Sequence, residues 1–348
     1  MGIAYDPVNG NVYVATWGEG TSGGLVKVIS GTSGNVVASV RVGHGPLGIA
    51  TDTINGDLYV TNSLDGNVTV IDGSTNAALT SIPAGGSPYG IAFDPVNGYL
   101  YVADSLNTGG STPPFVSPST NLTVIDASTN RAVGSITVGV NPIDVLYDST
   151  SGDILAINSG TASVFNVSVV NVSVGRSVRA ISLDGSPGGA ALDSQAGYLY
   201  VTDAFQDLVH VINVSSGIVV ASIPVGENPS GAVIDPQDQR LYVANYNTAN
   251  LTVISEKTQK VVGSIPVGTY PFRGAYDPAN GNVYFTNIGS ANVSVITVAQ
   301  SSQPPTPSYS VYIETCLAIG ASVVVILLIR RIRGREAKQQ PRFSPPAS

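Results

Sequence analysis

Short apolar runs separated by turn residues fill the first 298 residues and predict an all-β chain. A representative stretch has apolar runs at residues 90–93, 100–102, 122–125 and 132–136. The first two runs are joined by residues 94–98, Asp-Pro-Val-Asn-Gly, in which Pro fixes one φ angle and Gly accepts a positive one. Runs of this length between turn residues are typical of strands, so the stretch predicts four successive strands.

The four-strand unit recurs with two landmarks at a fixed spacing. An Asp ends each first strand, and seven positions later a mostly aromatic residue lies in the second strand. The pairs are Asp6 and Tyr13, Asp52 and Tyr59, Asp94 and Tyr101, Asp148 and Leu155, Asp193 and Tyr200, Asp235 and Tyr242, and Asp277 and Tyr284. One four-stranded sheet cannot bury both of its faces, whereas seven around an axis cover each other. We therefore predict an all-β, seven-bladed β-propeller over residues 1–298, with a solenoid of stacked β-coils as the alternative.

The second strands share a tetrapeptide. Residues 59–62 read Tyr-Val-Thr-Asn, residues 242–245 read Tyr-Val-Ala-Asn, and the copies at 101–104 and 200–203 end in Asp. With the downstream Thr-Val-Ile-Asp and Ser-Ile-Pro-Val-Gly segments, the chain resembles the YVTN-family β-propeller repeat up to about residue 298. The resemblance implies an exported, non-catalytic module of the surface-layer type, and it implies no particular ligand.

The fourth strand of the unit is predicted in only six blades, at residues 35–42, 76–84, 131–138, 177–184, 217–225 and 260–267. Residues 301–305, Ser-Ser-Gln-Pro-Pro, do not continue as a strand, so blade seven is predicted to lack its outer strand. Because Met1 falls inside the first strand of blade one, we expect a longer precursor that supplies the missing strand and a signal peptide. A three-stranded blade with an exposed edge is the alternative.

An apolar segment near the C-terminus predicts a membrane anchor. Residues 299–310 form a linker rich in Pro and Ser, and the 19 residues 311–329 can cross a hydrocarbon core of about 30 Å as a helix. Arg330, Arg331 and Arg333 follow, a basic cluster expected on the cytoplasmic side. We therefore expect a single-pass protein of the cell membrane, with an extracellular propeller and a cytoplasmic tail at 330–348.

Charge and cysteine content narrow the function classes. The net charge is −8, and the first 300 residues hold nine basic and 21 acidic residues. A propeller this acidic repels the phosphate backbone of nucleic acids, and no nucleic-acid partner is expected. The single cysteine, Cys316, falls in the apolar C-terminal segment, so no disulfide is expected in the propeller. No cofactor and no metal site are predicted.

The loops that lead into the blades suggest a ligand site at the mouth of the central channel. At one position near the start of the first strand, five blades carry Gly, blade four carries Asp144 and blade seven carries Arg273. Two opposite charges three blades apart predict a polar or ionic contact site. The alternative is that these two blades merely tolerate a side chain at this position. His44 and Glu227, which begin their lead-in loops, are further candidates for the same rim.

Two rings of polar residues recur through the blades. Asx turns explain the landmark Asp residues better than a metal ring does. A second ring ends the second strands, at Thr16, Asn62, Asp104, Asn158, Asp203, Asn245 and Asn287. The recurrence of this ring favours a structural role. Its residues, however, begin the loops between second and third strands, which lie on the same side of the propeller as the lead-in loops. Asp104 and Asp203 are therefore also candidates for ligand binding.

Loops and sequons add surface candidates. The longest loop, 105–120, is either a binding loop with Phe115 as its apolar anchor or a disordered insertion, and Trp17 lies in the corresponding loop of blade one. Sequons of the form Asn-x-Ser/Thr make glycosylation candidates, with repeat copying as the alternative, at Asn67, Asn121, Asn166, Asn171, Asn213, Asn250 and Asn292.

The two histidines do not form a catalytic motif. His44 and His210 lie in different blades, and no HExxH or phosphate-loop motif occurs. The sequence thus predicts a recognition or cell-envelope structural module with protein or glycan partners. The alternative is a metal-dependent, lactonase-like hydrolase or lyase with its site at the channel mouth.

Overall fold

The computed structural model describes residues 1–17, 23–107, 117–161, 164–298 and 309–315, which form seven four-stranded sheets. Blade one consists of β1 (Ile3–Asp6), β2 (Asn11–Thr16), β3 (Leu25–Ser30) and β4 (Val36–Arg41). Blade two consists of β5 (Pro46–Thr51), β6 (Leu58–Asn62), β7 (Asn67–Asp72) and β8 (Ala77–Pro83). Blade three consists of β9 (Pro88–Asp94), β10 (Tyr99–Asn107), β11 (Ser117–Asp126) and β12 (Arg131–Thr137).

The remaining blades repeat this order. Blade four consists of β13 (Pro142–Tyr147), β14 (Ile154–Asn158), β15 (Phe165–Asn171) and β16 (Arg176–Leu183). Blade five consists of β17 (Pro187–Asp193), β18 (Tyr198–Asp203), β19 (Leu208–Asn213) and β20 (Ile218–Pro224). Blade six consists of β21 (Pro229–Asp235), β22 (Arg240–Asn245), β23 (Asn250–Ser255) and β24 (Lys260–Pro266). Blade seven consists of β25 (Pro271–Asp277), β26 (Asn282–Asn287), β27 (Asn292–Val298) and β28 (Tyr309–Thr315).

Each blade is an antiparallel meander whose strands pair in chain order, and the first strands of successive blades contact one another around the axis. The prediction of a seven-bladed propeller with four-stranded blades is therefore confirmed, and a solenoid is excluded. The upper face consists of the loops between second and third strands and the loops that lead into the blades. The lower face consists of the turns that follow first and third strands.

The hydrophobic core lies between adjacent blades. Tyr59, which is fully buried, packs with Ile82 of its own blade and with Phe93 and Leu100 of blade three. Burying a large apolar side chain contributes on the order of 2–3 kcal/mol, so the landmark tyrosines are principal stabilising residues. The landmark Asp residues shape the lower turns, as predicted. For example, Asp6 Oδ1 accepts the Val8 amide at 2.8 Å, and Asp94 Oδ1 accepts the Val96 amide at 2.8 Å.

The outer edges of the blades are bent. In blades one to six, the pairing between third and fourth strands shifts register once. A bulge of this kind twists an edge strand and hinders its pairing with another chain. The pairing of β27 with β28 in blade seven shows no such shift.

Blade seven differs from its sequence-based prediction. The chain itself supplies a fourth strand, because β28 pairs antiparallel with β27 from Asn292 opposite Thr315 to Val298 opposite Tyr309. The prediction of a missing outer strand is therefore wrong, and the expectation of a longer precursor loses that support. The linker was predicted too long by two residues at its C-terminal end.

The transmembrane helix is not shown by the structure. Five of its predicted residues, 311–315, belong to β28, and residues 316–329 lie outside the described residues, as does the basic tail. In the part of the chain that is described, no helix is long and apolar enough to span a bilayer.

Candidate functional site

Asp144 and Arg273 meet across the central channel. Asp144 lies on β13 and Arg273 on β25, three blades apart, and Arg273 Nη1 lies 2.5 Å from Asp144 Oδ2. The two side chains are 14% and 17% exposed, so the ion pair is largely enclosed. Sequence reasoning correctly expected both groups at the channel mouth, but it did not foresee that they would pair with each other.

The surroundings favour the charged form of Arg273. Burial works to lower the pKa of Arg273, but the charge of Asp144 outweighs it and the pKa is raised above its usual value. The Arg273 guanidinium also lies 5.5 Å from the centre of the Phe272 ring, a cation–π distance. Glycines of neighbouring blades leave the required space. A Cβ at Gly189 would lie 2.8 Å from Arg273 Nη1, and one at Gly90 would lie 2.6 Å from Asp144 Cα.

The channel contains a cavity of about 380 Å³ that is lined mainly by backbone and aliphatic side chains of the first strands, together with this pair. A ligand that binds the two charges has to displace a short, charge-assisted hydrogen bond between them. The pair therefore acts first as a brace between blades four and seven.

The other predicted rim residues lie on exposed loops of the upper face. His44 Nδ1 lies 3.0 Å from Asp65 Oδ1, and the His44 backbone amide donates to Asp65 Oδ2 at 2.7 Å. Glu227 is exposed, and its carbonyl accepts the Asn247 amide.

Asp104 and Asp203 are buried, at 4% and 1% exposure, beneath the upper loops. Asp104 Oδ2 accepts a hydrogen bond from Thr123 Oγ1 at 2.8 Å, and burial raises the pKa of Asp104 to about 6. Asp203 Oδ1 accepts backbone amides from Ser186, Phe205 and Gln206. Neither carboxylate is presented to a ligand at the surface.

The ring of Asn residues explains most sequons in structural terms. Asn62 Nδ2 donates to Asn67 Oδ1 at 2.7 Å and to Thr69 Oγ1 at 2.8 Å, so the sequon amide and hydroxyl are both engaged. The same arrangement joins Asn158 to Asn166 and Ser168, Asn245 to Asn250 and Thr252, and Asn287 to Asn292 and Ser294. Asn121 starts the corresponding sequon in blade three, whose hydroxyl belongs to Thr123.

Asn171 and Asn213 differ from the other sequons because they end third strands on the lower face. Their side-chain oxygens accept turn amides, from Val174 and Ser216 respectively. The sequon hydroxyls of Ser173 and Ser215 are exposed.

Sequence reasoning missed a Ser-His-Asp alignment in blade five. His210 Nδ1 lies 2.9 Å from Ser222 Oγ, and its Nε2 lies 3.3 Å from Asp203 Oδ2. Ser222 lies on the exposed outer strand, outside both described cavities, and its position is also Ser in other blades that lack this His, at Ser81, Ser135 and Ser264. The alignment therefore matches cross-strand pairing better than a nucleophilic site.

Large apolar side chains project from the upper face. Trp17 is 59% exposed, Leu64 71% and Phe205 81%, all just after the ends of second strands. The rings of Tyr246 and Tyr270 stack at 4.7 Å with an interplanar angle of 18°. The upper loops contain no Lys or Arg in the sequence. Phe115, the other predicted anchor, lies outside the described residues.

Comparisons with known proteins support the fold alone. No family model matches the sequence, and no curated protein matches it. A solved structure named Kuenenia stuttgartiensis Hydrazine Synthase superposes with a TM-score of 0.75 at 21% sequence identity, covering 86% of this chain and 96% of that one. In the described part of the chain, no three His, Cys, Asp or Glu side chains are placed to hold a metal ion.

Proposed function

We propose that this chain is a YVTN-type surface protein, a membrane-anchored extracellular propeller that binds a protein partner through its upper face. The observation that carries the proposal is the set of exposed apolar side chains on that face, Trp17, Leu64 and Phe205, held on loops of a rigid scaffold. Exposed aromatic residues are the usual anchors of protein interfaces, and loops on rigid scaffolds commonly carry binding residues.

The anchor in this proposal is the apolar segment that follows Thr315, with the basic cluster from Arg330 on the cytoplasmic side. β28 runs from the lower to the upper face, so this segment leaves the propeller at the upper edge of blade seven. A partner bound on the upper face then lies close to the membrane, as another protein of the same envelope would.

Site-specific photo-crosslinking in the native membrane tests the proposal. A benzoyl-phenylalanine replaces Phe205 on the upper face or, as the control, Val96 on the lower face, which is 84% exposed. We expect a discrete crosslinked protein from position 205 and none from position 96. No adduct at 205, or the same adducts from both positions, contradicts the proposal, and an adduct that deglycosylation removes identifies a glycan partner instead.

A further inference from the structure

A cleft between blades five and six opens on the lower face. It has a volume of about 660 Å³, within the range of small-molecule sites, and its walls include Asp193, Ala196, Tyr200, Glu256, Lys257 and Gln259. Tyr200 is a landmark tyrosine, and Glu256 and Gln259 belong to the turn after the third strand of blade six.

In blades one and two the corresponding tyrosine hydroxyl is hydrogen-bonded to the neighbouring blade. Tyr13 Oη lies within hydrogen-bond distance of two acceptors for its one proton, Gly73 O and Asn76 Oδ1, and it accepts from Asn9 Nδ2 at 2.8 Å. Tyr59 Oη likewise contacts Ala127 O and Asn130 Oδ1. The turns of blades two and three thus place a small residue and an Asn beside the tyrosine of the preceding blade, and in blade one a second Asn lies in the tyrosine's own turn.

Around Tyr200, all three of these positions change together. Ala196 takes the place of Asn9, Glu256 that of Gly73, and Gln259 that of Asn76. The Ala removes the donor and leaves space, while the Glu brings in a carboxylate. All three substitutions line the same cleft.

The result is a pair of buried polar atoms that lack well-formed partners. Tyr200 is 0% exposed, and neither its hydroxyl nor Glu256 Oε1 has a partner at hydrogen-bond geometry among the described residues. The two groups interact with each other, by charge and through a side-chain hydrogen bond that falls short of ideal geometry. Burial, followed by the charge of Asp193, raises the pKa of Glu256 to about 7. Burial and then the charge of Glu256 raise the pKa of Tyr200.

We infer that this cleft binds a small organic cation, an ammonium or guanidinium group whose N–H donors reach Glu256 Oε1 and Tyr200 Oη. A donor-only cation donates to both atoms and offsets the repulsion that Asp193 and Asp235 exert on Glu256. Water brings hydrogen-bond donors without a charge, and an anion adds to the repulsion. A metal ion fits less well, because the described residues bring no three carboxylate or histidine ligands together here. The inference does not depend on the upper-face partner.

Calorimetric titration of the full-length protein with agmatine, which carries a guanidinium and an ammonium group, tests this assignment. We expect saturable, millimolar binding that weakens at least about tenfold in Glu256→Gln, which keeps the shape and removes the charge. Ala196→Asn restores the repeat residue, fills the cleft and should also abolish binding without loss of thermal stability. The control Asn97→Ala removes the equivalent Asn beside Tyr101, where the neighbouring turn carries Val172 instead of a carboxylate, and should leave binding unchanged.

Equal binding to the wild type and to both cleft variants overturns the inference, as does the absence of saturable binding up to about 10 mM. A short peptide with one arginine separates the two sources of a guanidinium. Agmatine that binds at least as tightly as the peptide supports a free solute. Tighter binding of the peptide contradicts a free solute and points to a side chain of a partner protein.

Discussion

Asp104 holds a carboxylate at a position where four other blades hold the amide of an asparagine. Its raised pKa, about 6 against an ordinary value of 3.8, means that the folded state disfavours the ionised form. This group therefore costs the folded protein no stability below about pH 4, and it costs progressively more as the pH rises through 6.

Asp104→Asn should stabilise the protein by about 2–3 kcal/mol at pH 8 and by nearly nothing at pH 4. Urea denaturation at the two pH values measures the difference. Asp203→Asn is the matched control. Because Asp203 accepts three backbone amides, its loss of charge should destabilise the protein. A stabilising effect of both variants contradicts the account.

The Asp144–Arg273 brace is expected to be strongly coupled. Removing either partner leaves a mostly enclosed charge unpaired, so Asp144→Gly and Arg273→Gly should each cost about 2–4 kcal/mol. The double variant restores the glycine of the other five blades, so it should cost less than the sum of the two. A double-mutant cycle by chemical denaturation measures the coupling, and additive effects are the contrary result.

At this scale the sequence predicts positions better than partners. Asp144 and Arg273 stood out because the other five blades carry Gly at their position, and the repeat placed both residues near the axis. Whether the two side chains reach each other depends on the diameter of the channel, and the spacing of residues in the sequence does not give that diameter. Ala196 and Glu256 went unnoticed because each is an ordinary turn residue, and only their convergence on Tyr200 gives them meaning.

Blade seven carries the main lesson at the scale of the element. A run such as Val-Tyr-Ile from residue 311 fits an outer strand and the start of an apolar helix equally well, so the pattern alone does not decide between them. Residues 311–315 cannot serve both at once. The 14 residues 316–329 span about 21 Å as a helix, less than the roughly 30 Å hydrocarbon core, so the proposed anchor depends on local thinning of the bilayer and on the flanking arginines reaching the headgroups.

Two truncations separate these roles. A chain that ends at residue 315 should keep the β27 amides protected, whereas a chain that ends at 308 should lose protection along the β27 edge and become prone to self-association. Hydrogen exchange read by mass spectrometry compares the two. Equal exchange rates in β27 mean that β28 does not stabilise the blade.

The sequons fall into two groups according to where they lie in the blade. Five have their hydroxyl in or beside the network under the upper loops, whereas Ser173 and Ser215 are exposed in lower turns. We expect that any N-glycan on the mature protein occupies Asn171 or Asn213 in preference to the other five. Glycopeptide mapping gives the occupancy of each site, and predominant modification of Asn67 or Asn250 refutes the preference.

At the scale of the whole molecule, the ring closes without exchanging a strand. Ile3, Val12 and Val14 of blade one pack with Tyr284 and Val293 of blade seven. The Tyr5 hydroxyl contacts Asp277, and Asn280 Nδ2 donates to Gly31 O at 3.0 Å. In the described residues, blades one and seven are therefore held together by non-covalent contacts, whereas every other pair of neighbours is also joined by a loop.

This junction should open before any other. Asn280→Ala removes the hydrogen bond to Gly31, and Asn9→Ala removes the equivalent bond to Gly73 between blades one and two. Both should lower global stability by about 1 kcal/mol. Only Asn280→Ala should accelerate amide exchange selectively in blades one and seven, and acceleration by both variants alike means that the junction is not the weak point.

The direction of β28 determines which face of the propeller is exposed to the surrounding medium. In the orientation that we propose, an anchor that continues from Thr315 keeps the aromatic loops turned toward the lipid headgroups and holds the seven Asx turns outermost. Dissolved molecules that approach from the medium then arrive first at the side that carries Glu256, while the aromatic loops are reachable only by neighbours already confined to the bilayer plane.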